Sequence, residues 1–516
     1  MARRRFELAG VLVSAAIAGC GLDTLGIGAG DAGTVAATST GAPSATAGTT
    51  TGLSGPTEDL PAASTSAGES TTGPAAACGD GRVDPGEACD DGDLDAFDGC
   101  QASCTPTQAV KLYGGGYSSF TCATMYSGDS ARCWGNNAYG QLGYDFFDPM
   151  AGAADHAIGD VPAELPQDDA VWFPGHIVEF APGDDHNCVL LGDGHVYCWG
   201  ASELGLLGLG KSFDPPTVLW DSEDPGMRRV PLAATALHIG SGRHGTCAIL
   251  AGGTLQCWGR NQAGQVGDGT LDVIGDDEAP VVVAFTPDVQ IVQVVGGEGH
   301  TCVRTQLGAV WCWGAGDRGQ LGNGDVAPVL APGDGKVVAL GLDTTAIAAG
   351  YAHTCAIHAF GAVRCWGANS YGQLGRGNGF DQGGTPQTIP DNTGHDVDLG
   401  DGEVAAQVVC GAEHTCARTS QGDVFCWGRG EQGQLGHEDL ENFGDEIGES
   451  PAGRGPVELG EAAVELSVGA YHTCALLVSG AVRCWGRSNL GQLGQGSVAN
   501  IGDQRGSMPP PDVPYF

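Results

Sequence analysis

A single sequence unit recurs seven times after about residue 109, and it constrains the fold more than any other feature. In its clearest copy, Gly350 leads through His353 to Cys355, a second cysteine opens Cys365-Trp366-Gly367, and Gly-Gln-Leu-Gly follows at 372–375. The spacing between successive copies is 53 to 66 residues. Such periodicity predicts a repeat architecture, in which one small unit is stacked many times to bury a shared core.

Each copy carries two cysteines, ten residues apart in six copies and eleven apart in the first. In the third copy, Cys247 and Cys257 are equidistant from residue 252, where Gly252-Gly253 supplies a hairpin turn. Antiparallel pairing then places the two cysteines opposite each other, about 4.5 Å apart at Cα, near the short end of disulfide geometry. Reduced thiols or a metal site are the alternatives, although zinc ligands usually lie two to four residues apart. The predicted disulfides are Cys122–Cys133, Cys188–Cys198, Cys247–Cys257, Cys302–Cys312, Cys355–Cys365, Cys416–Cys426 and Cys474–Cys484.

A Pro-led apolar segment lies upstream of most hairpins, and with the strand before the Gly it makes about four strands per unit. One four-stranded sheet cannot bury both faces alone, whereas seven packed radially can. We therefore predict an all-β fold, a seven-bladed β-propeller with one disulfide per blade, over residues 109–516. We expect the C-terminal segment Pro509–Phe516 to complete the first blade and close the ring. The Pro-led segments are Pro216–Trp220, Pro280–Phe285, Pro328–Leu330, Pro386–Ile389 and Pro456–Leu459.

The repeats resemble those of the regulator of chromosome condensation family, which combine Gly-x-x-His-(Ser/Thr), a Trp-Gly pair and Asn-x-x-Gly-Gln-Leu-Gly. The resemblance covers most of residues 109–516 and implies a seven-bladed propeller. Two copies depart from the motif: Phe120 takes the histidine position in the first, and Gly205-Leu-Leu-Gly208 lacks the glutamine in the second. The family's eukaryotic founder binds chromatin and exchanges guanine nucleotide, and we expect neither role in an acidic, exported chain. A secreted bacterial propeller of similar repeat inhibits β-lactamases, which is a protein-binding role.

Three residue types recur once per blade, and for each we expect an architectural role. A ring of histidines near a propeller axis could instead bind metal or carry out acid–base chemistry, and the structural alternative is hydrogen bonding. The tryptophans could form a platform for carbohydrate, and the structural alternative is packing between blades. The glutamines are expected to satisfy buried backbone groups at blade junctions. The histidines, placed at one equivalent position just before the first cysteine, are His186, His244, His300, His353, His414 and His472. The tryptophans are Trp134, Trp199, Trp258, Trp313, Trp366, Trp427 and Trp485, and the glutamines are Gln141, Gln265, Gln320, Gln373, Gln434 and Gln492.

The N-terminal residues predict export and a lipid anchor. Arg3–Arg5 form a positive region, Leu8–Ile17 an apolar one too short to span a bilayer, and Ile17-Ala-Gly-Cys20 resembles the lipobox of bacterial lipoproteins. That resemblance implies a signal peptide at 1–19 and lipidation of Cys20; ordinary cleavage is the alternative. Residues 20–77, rich in Ala, Gly, Ser, Thr and Pro, predict a disordered tether. We expect a cell-envelope protein, an outer-membrane lipoprotein or a cell-surface one, held to the membrane only through Cys20.

Residues 78–104 resemble a four-cysteine repeat common in exported myxobacterial proteins. Cys78, Cys89, Cys100 and Cys104 allow three disulfide pairings, and the sequence does not choose among them. So small a module needs disulfides, a metal or both to hold a fold. Alternating carboxylates suit calcium, but no Gly or closing Glu completes an EF-hand loop, so structural calcium and a solvated acidic loop both stay open. The carboxylates are Asp90, Asp91, Asp93, Asp95 and Asp98; we expect no other cofactor.

Charge and motifs narrow the function classes. The chain has 22 Lys and Arg against 62 Asp and Glu, a formal net charge of −40, which argues against nucleic acid as a partner. No nucleophile elbow, zinc-protease motif or phosphate loop occurs, so we predict no catalytic residue and no enzyme. Cys410 is left without a predicted partner, as an inert buried thiol or a reactive one.

We therefore expect a monomeric, non-catalytic binding module for an extracellular protein, peptide or glycan. The candidate recognition surface is three long acidic loops, 144–176, 376–403 and 437–455, because insertions in a propeller recur on one face. A hydrolase or lyase at the central channel is one alternative function. A passive cell-surface spacer or adhesin is the other.

Overall fold

The structure, a computed structural model, is a seven-bladed propeller built from seven antiparallel sheets. The predicted all-β fold is confirmed. The predictions for Cys20, the tether and the four-cysteine module lie outside the described residues. The structure describes residues 109–125, 127–144, 157–161, 170–211, 229–285, 289–338, 340, 344–390 and 396–514.

Each blade is a meander in which three consecutive strands pair antiparallel, from the channel outwards. The inner strands are β1 (Ala109–Tyr113), β5 (Ile177–Pro182), β8 (Ala236–Ser241), β12 (Ile291–Gly296), β15 (Thr344–Ala349), β18 (Ala405–Cys410) and β21 (Ala463–Val468). The second strands are β2 (Phe120–Met125), β6 (His186–Leu191), β9 (Gly245–Leu250), β13 (His300–Thr305), β16 (His353–His358), β19 (His414–Thr419) and β22 (His472–Leu477). The third strands are β3 (Ser130–Gly135), β7 (Val196–Gly200), β10 (Leu255–Gly259), β14 (Val310–Gly314), β17 (Ala362–Gly367), β20 (Val424–Gly428) and β23 (Val482–Gly486).

The fourth, outermost position of each blade is short. Only the first and third blades have a fourth strand among the described residues, β4 (Val171–Trp172) and β11 (Val281–Val283). In the other five blades a valine N–H donates to a carbonyl at the start of the third strand, the first or second of that strand, at 2.7–2.9 Å. These pairs are Val230 to Val196, Val338 to Val310, Val397 to Val363, Val457 to Val424 and Val513 to Val482.

The sequence prediction places the described Pro-led segments in the wrong blade; Pro216–Trp220 lies outside the described residues. Pro280–Phe285 does contain a strand, β11, but it pairs with β10 of the hairpin that precedes it. Val329, in Pro328–Leu330, bridges Gly314, and Val337–Val338 forms the edge instead. Pro386–Ile389 holds no strand; the edge of that blade is at Val397. Pro456–Leu459 contains the edge residue Val457, again in the preceding blade. One or two hydrogen bonds suffice for an edge, so apolar runs did not locate the edges at Val337–Val338 and Val397.

The predicted ring closure is also wrong. The Val513 N–H donates to the Val482 carbonyl at 2.7 Å, so the C-terminal segment completes the seventh blade rather than the first. Every blade is thus contiguous in sequence, because its edge follows its own third strand. The first and last blades meet through cross-blade bonds, including that from the Leu112 N–H to Glu465 Oε2 at 3.0 Å.

Helical structure is minor. The one α-helix in the described ranges is α1 (Pro451–Arg454), where the Ser450 hydroxyl accepts the Gly453 N–H. Single 3₁₀ turns occupy Glu203–Gly205, Pro332–Asp334 and Ala359–Gly361. Within these ranges no helix has the length and apolar character needed to cross a membrane.

The seven predicted hairpin disulfides are confirmed. In each blade the two cysteines face each other across the second and third strands, as Cys247 faces Cys257. The Cα atoms of each pair are 4.0–4.1 Å apart, and all fourteen cysteines are buried. Each blade is therefore stapled at its middle, independently of the others.

The blade junctions repeat one hydrogen bond seven times. Each Trp is fully buried, and its indole N–H donates to a carbonyl in the turn of the preceding blade at 2.9–3.1 Å. The acceptor is the recurrent Gln in six junctions and Leu206 in the blade that lacks it. The Gln side chain closes its own turn, as when Gln320 Oε1 accepts the Arg318 N–H at 2.8 Å. The architectural roles expected for Trp and Gln are confirmed.

Candidate functional site

Five of the six histidines link neighbouring blades. Each is buried at the start of a second strand, with Nε2 2.7–3.1 Å from a threonine hydroxyl of the next blade. The Thr473 hydroxyl also donates to the Gln434 carbonyl, so it accepts from His414, which fixes the neutral tautomer with hydrogen on Nε2. Burial lowers the pKa of His414 to about 3. A neutral, bonded imidazole of this kind is a structural element.

His244 does not occupy the equivalent position, contrary to the sequence interpretation. It lies three residues before Cys247, and Gly245 takes the strand position opposite Gly259. Burial, with Arg243 and Arg260 nearby, lowers the pKa of His244 to about 4. The expected ring of six histidines is thus a set of five.

The central channel is filled at one end by the loop of the first blade. Gly114, Gly115 and Gly116 approach the last carbonyls of inner strands in the seventh, second and sixth blades, and a Cβ on any of them would clash there. Tyr117 follows them into the interior, with its ring centroid 6.1 Å from that of Tyr351. Burial, Glu298 and Cys410 raise the pKa of Tyr117 well above its usual value. The loop of the first blade therefore lies across this end of the channel.

The candidate site is a cleft of about 510 Å³ over the third to sixth blades. It lies on the face that carries the loops between first and second strands and the Gly-Gln-Leu-Gly turns; we call this the cleft face. Glu298, Tyr351 and Glu413 come from those loops. Arg260, Arg318 and Tyr371 come from the segments after the third strands. This volume and the mixture of aromatic and charged groups are typical of binding sites.

Ion pairs orient the Arg318 side of the cleft. Arg318 donates from Nε and Nη2 to the Asp381 carboxylate at 2.6 and 3.1 Å, and from Nη2 to the Ser370 hydroxyl at 2.9 Å. Such a bidentate pair holds the guanidinium in one plane. Arg260 donates to Gln262 Oε1 at 2.5 Å and has no carboxylate among its described partners.

Further arginines hold the carboxylates and rings on the opposite side. Arg429 pairs with Glu413 at 2.5 Å and lies over the Tyr371 ring at 4.9 Å. Arg243 pairs with Glu298 at 2.9 Å and lies over Tyr351. The lining contains no histidine, cysteine or lysine. Its chemistry is that of charge-assisted hydrogen bonding and stacking.

The opposite end of the channel has a second cavity, of about 440 Å³. Its polar groups mostly serve the backbone: Gln407 bonds both the N–H and the carbonyl of Leu466, and Glu465 accepts the Leu112 N–H. Burial raises the pKa of Glu465. These side chains tie neighbouring inner strands together and leave the first cleft as the better candidate site.

The sequence interpretation missed the cleft. None of its lining residues belongs to the three long acidic loops, although Asp381, in 376–403, borders it through Arg318. The available signal was variation inside the repeat: loop positions that are equivalent between blades hold Arg243, Glu298 and Tyr351. Cysteine and aspartate predictions between Cys20 and Cys104 lie outside the described residues.

Cys410 is a buried free thiol. Burial raises its pKa to about 12, and hydrogen bonds from the Thr415 side chain and the Cys355 backbone oppose that shift only in part. His353, Cys355 and Cys410 bring three potential metal-ligand atoms within 4.8 Å, but Cys355 is committed to a disulfide. The inert-thiol interpretation is the one that the structure supports.

Comparison with known families shows where the chain belongs. Two models of the regulator of chromosome condensation repeat match it, one at residues 177–205, 291–320, 345–373, 405–434 and 463–492. The other matches at 253–304, 308–357, 361–418 and 421–476. The chain belongs to the regulator of chromosome condensation repeat family.

Similar proteins in this family include a receptor and a ubiquitin ligase. The chain is 31% identical over 379 residues to the ultraviolet-B receptor UVR8 of Arabidopsis thaliana, covering 72% of this chain and 76% of the receptor. It is 31% identical over 326 residues to the mouse E3 ubiquitin-protein ligase HERC2, but that region is 63% of this chain and only 6% of the ligase.

Solved structures of the family confirm the fold. Yeast RCC1 (Prp20), in its complex with Kap60, matches with a TM-score of 0.56 at 17% identity, over 79% of this chain and 85% of that one. Human WBSCR16 matches with a TM-score of 0.55 at 18% identity, over 72% and 87%. At such low identity the likeness concerns the repeat-family propeller alone.

Proposed function

We propose that this chain is a non-catalytic binding module that acts outside the cytoplasm and recognises a protein, peptide or glycan on its cleft face. The observation that carries the proposal is the 510 Å³ cleft, in which ion pairs hold the side chains of Glu298, Arg318 and Glu413 in place. Preorganised side chains of these types favour binding, because little freedom is lost when a partner docks.

Two features support a location outside the cytoplasm. Seven buried disulfides in one propeller are typical of proteins folded in an oxidising compartment. The sequence around Cys20 resembles a lipoprotein signal, so we propose a lipid anchor there, with residues 20–77 as the tether.

Several observations favour binding over catalysis. The recurrent histidines are neutral and bonded between blades, and the loop of the first blade fills one end of the channel. UVR8 is named as a receptor; the ligase name of HERC2 says little here, because the matched region is 6% of that protein. A net charge of −40 disfavours chromatin, so we do not extend the founder's nucleotide-exchange role to this chain.

Affinity capture tests the proposal. The full chain, immobilised, is exposed to envelope and culture proteins and to soluble glycans of the source cell. We expect a specific partner whose capture falls at least about tenfold with Arg260→Gln/Tyr371→Ala, which removes an aromatic wall and a guanidinium with no carboxylate among its described partners. Phe360→Ser, on the opposite face, is the matched control. Recovery of no specific partner would favour a passive spacer, and equal capture by both variants would rule out the cleft.

A further inference from the structure

The outer edge of the cleft face presents one exposed apolar side chain in each of five successive blades. These residues follow the Gly-Gln-Leu-Gly turn, beside a tight turn closed by a polar side chain; in the fifth blade Asn378 Oδ1 accepts the Phe380 N–H at 3.1 Å. The five are Leu271, Val326, Phe380, Leu440 and Val498. Single exposed apolar residues are ordinary, but here they recur on one face, after the same turn of each repeat.

Three of the exposed apolar residues lie in segments of the fifth and sixth blades. There Phe380 is 76% exposed, Leu440 52% and Ile447 98%. The two segments lie against each other: the Asn378 N–H donates to the Gly444 carbonyl at 3.1 Å, and Gly377 approaches the backbone of 446–449. We call Phe380, Leu440 and Ile447 the blade 5–6 patch.

The loop under the patch is held by side-chain bonds to its own backbone and core. Arg454 donates from Nη2 to both oxygens of Asp439 at 2.7 and 2.6 Å and lies 4.6 Å from the Phe443 ring centroid. Glu449 Oε2 accepts the N–H groups of Gly444 and Glu446 at 2.9 and 3.1 Å. Ile447 is therefore displayed on a preorganised loop, which lowers the entropy lost on docking.

The surroundings of the patch are strongly acidic. Residues 437–455 contain six carboxylates and one arginine, and that arginine is neutralised by Asp439. Burial and the neighbouring Glu449 raise the pKa of Asp445, as crowded carboxylates do. An apolar anchor set inside a carboxylate rim is complementary to apolar side chains flanked by Lys or Arg.

We propose that the blade 5–6 patch docks a cationic protein segment that carries apolar side chains. A second copy of this chain is disfavoured, because two surfaces of net charge −40 repel each other. An anionic membrane is disfavoured for the same reason. This inference rests on the proposed binding function and specifies the partner's chemistry.

A synthetic amphipathic Leu/Lys peptide, labelled for fluorescence anisotropy, is the probe, titrated against the full chain at two salt concentrations. We expect saturable binding that weakens about tenfold with Phe380→Ser/Ile447→Ser and is also weakened by Glu441→Gln/Glu446→Gln. The matched control, Leu307→Ser/Phe360→Ser, removes side chains 87% and 97% exposed at hairpin turns of the opposite face, and we expect no change from it.

Two results would overturn the patch. A Lys/Ser peptide that binds as tightly as the Leu/Lys peptide would show bare ion exchange, and equal losses in the two serine pairs would show no preference for this face. Partner capture from the cell separates the two proposals. If capture is lost with Arg260→Gln/Tyr371→Ala but unaffected by Phe380→Ser/Ile447→Ser, the binding function stands and the docking patch is wrong.

Discussion

The blade junctions and the cleft face use the same repeats in opposite ways. At every junction a buried tryptophan bonds a turn carbonyl of the preceding blade, with almost the same distance each time. On the cleft face the equivalent loop positions differ from blade to blade, as Arg243, Glu298 and Tyr351 show. The residues that recur in every blade stabilise the ring, which needs seven similar contacts to close. Chemistry that does not repeat is free to fit an asymmetric partner.

The largest effect is expected from breaking a junction. Trp313→Ala removes a fully buried indole and its bond to the Gln265 carbonyl, and should destabilise the protein by about 3–5 kcal/mol. Trp313→Phe keeps most of the packing and should lose only about 1–2 kcal/mol. Urea unfolding measures both. A loss below about 1 kcal/mol for the alanine variant would contradict the role assigned to the junctions.

Removing one staple should have a smaller effect, confined to its blade. Cys302→Ser/Cys312→Ser opens one short hairpin loop, and we expect a loss of about 2–3 kcal/mol in non-reducing thermal unfolding. Cys410→Ala, which breaks no disulfide, is the control and should cost less. Alkylation of the native protein should leave Cys410 unmodified, because burial raises its thiol pKa. Comparable losses for the two variants would argue against the staples as independent supports.

The buried histidines should make the ring acid-sensitive. The folded pKa of His414, about 3, lies below the ordinary histidine pKa of 6.5, so the unfolded chain takes up the proton first. Its stabilisation is therefore present above pH 6.5 and is lost as the pH falls toward 3. His414→Gln should reduce the difference in urea midpoint between pH 7.5 and pH 5. An unchanged or larger difference in that variant would contradict the neutral interblade histidine.

The hairpins and their disulfides could be predicted because their determinants are local. Cys247 and Cys257 lie symmetrically about Gly252-Gly253, so the pairing follows from one short stretch. Some blade edges could not, because an edge such as Val397 is joined by a single backbone bond and carries little periodicity. His244 is a different case, because its distance of three residues from Cys247 can be read from the sequence, and Gly245 takes the position of the interblade histidine.

The candidate site could not be predicted because it is assembled from distant parts of the chain. Arg260 and Glu413 line one cleft but are separated by three repeats, and each occupies a position that looks like an ordinary loop residue. The loop at the end of the channel depends on close contacts between Gly114–Gly116 and carbonyls of distant blades, and no local sequence pattern predicts such contacts. The sequence did indicate the long loops; of these, 376–403 contributes Asp381 to the cleft's edge.

The central claim is that the repeated junction residues stabilise the ring, whereas the unrepeated residues of the cleft bind the partner. The most direct test measures thermal stability and partner capture on the same variant. For Arg260→Gln/Tyr371→Ala we predict a midpoint within about 2 °C of the unmodified chain, since surface changes rarely exceed about 0.5 kcal/mol, together with loss of capture. A midpoint that falls as far as that of Trp313→Ala while capture persists would contradict the account, because the unrepeated residues would then be holding the ring.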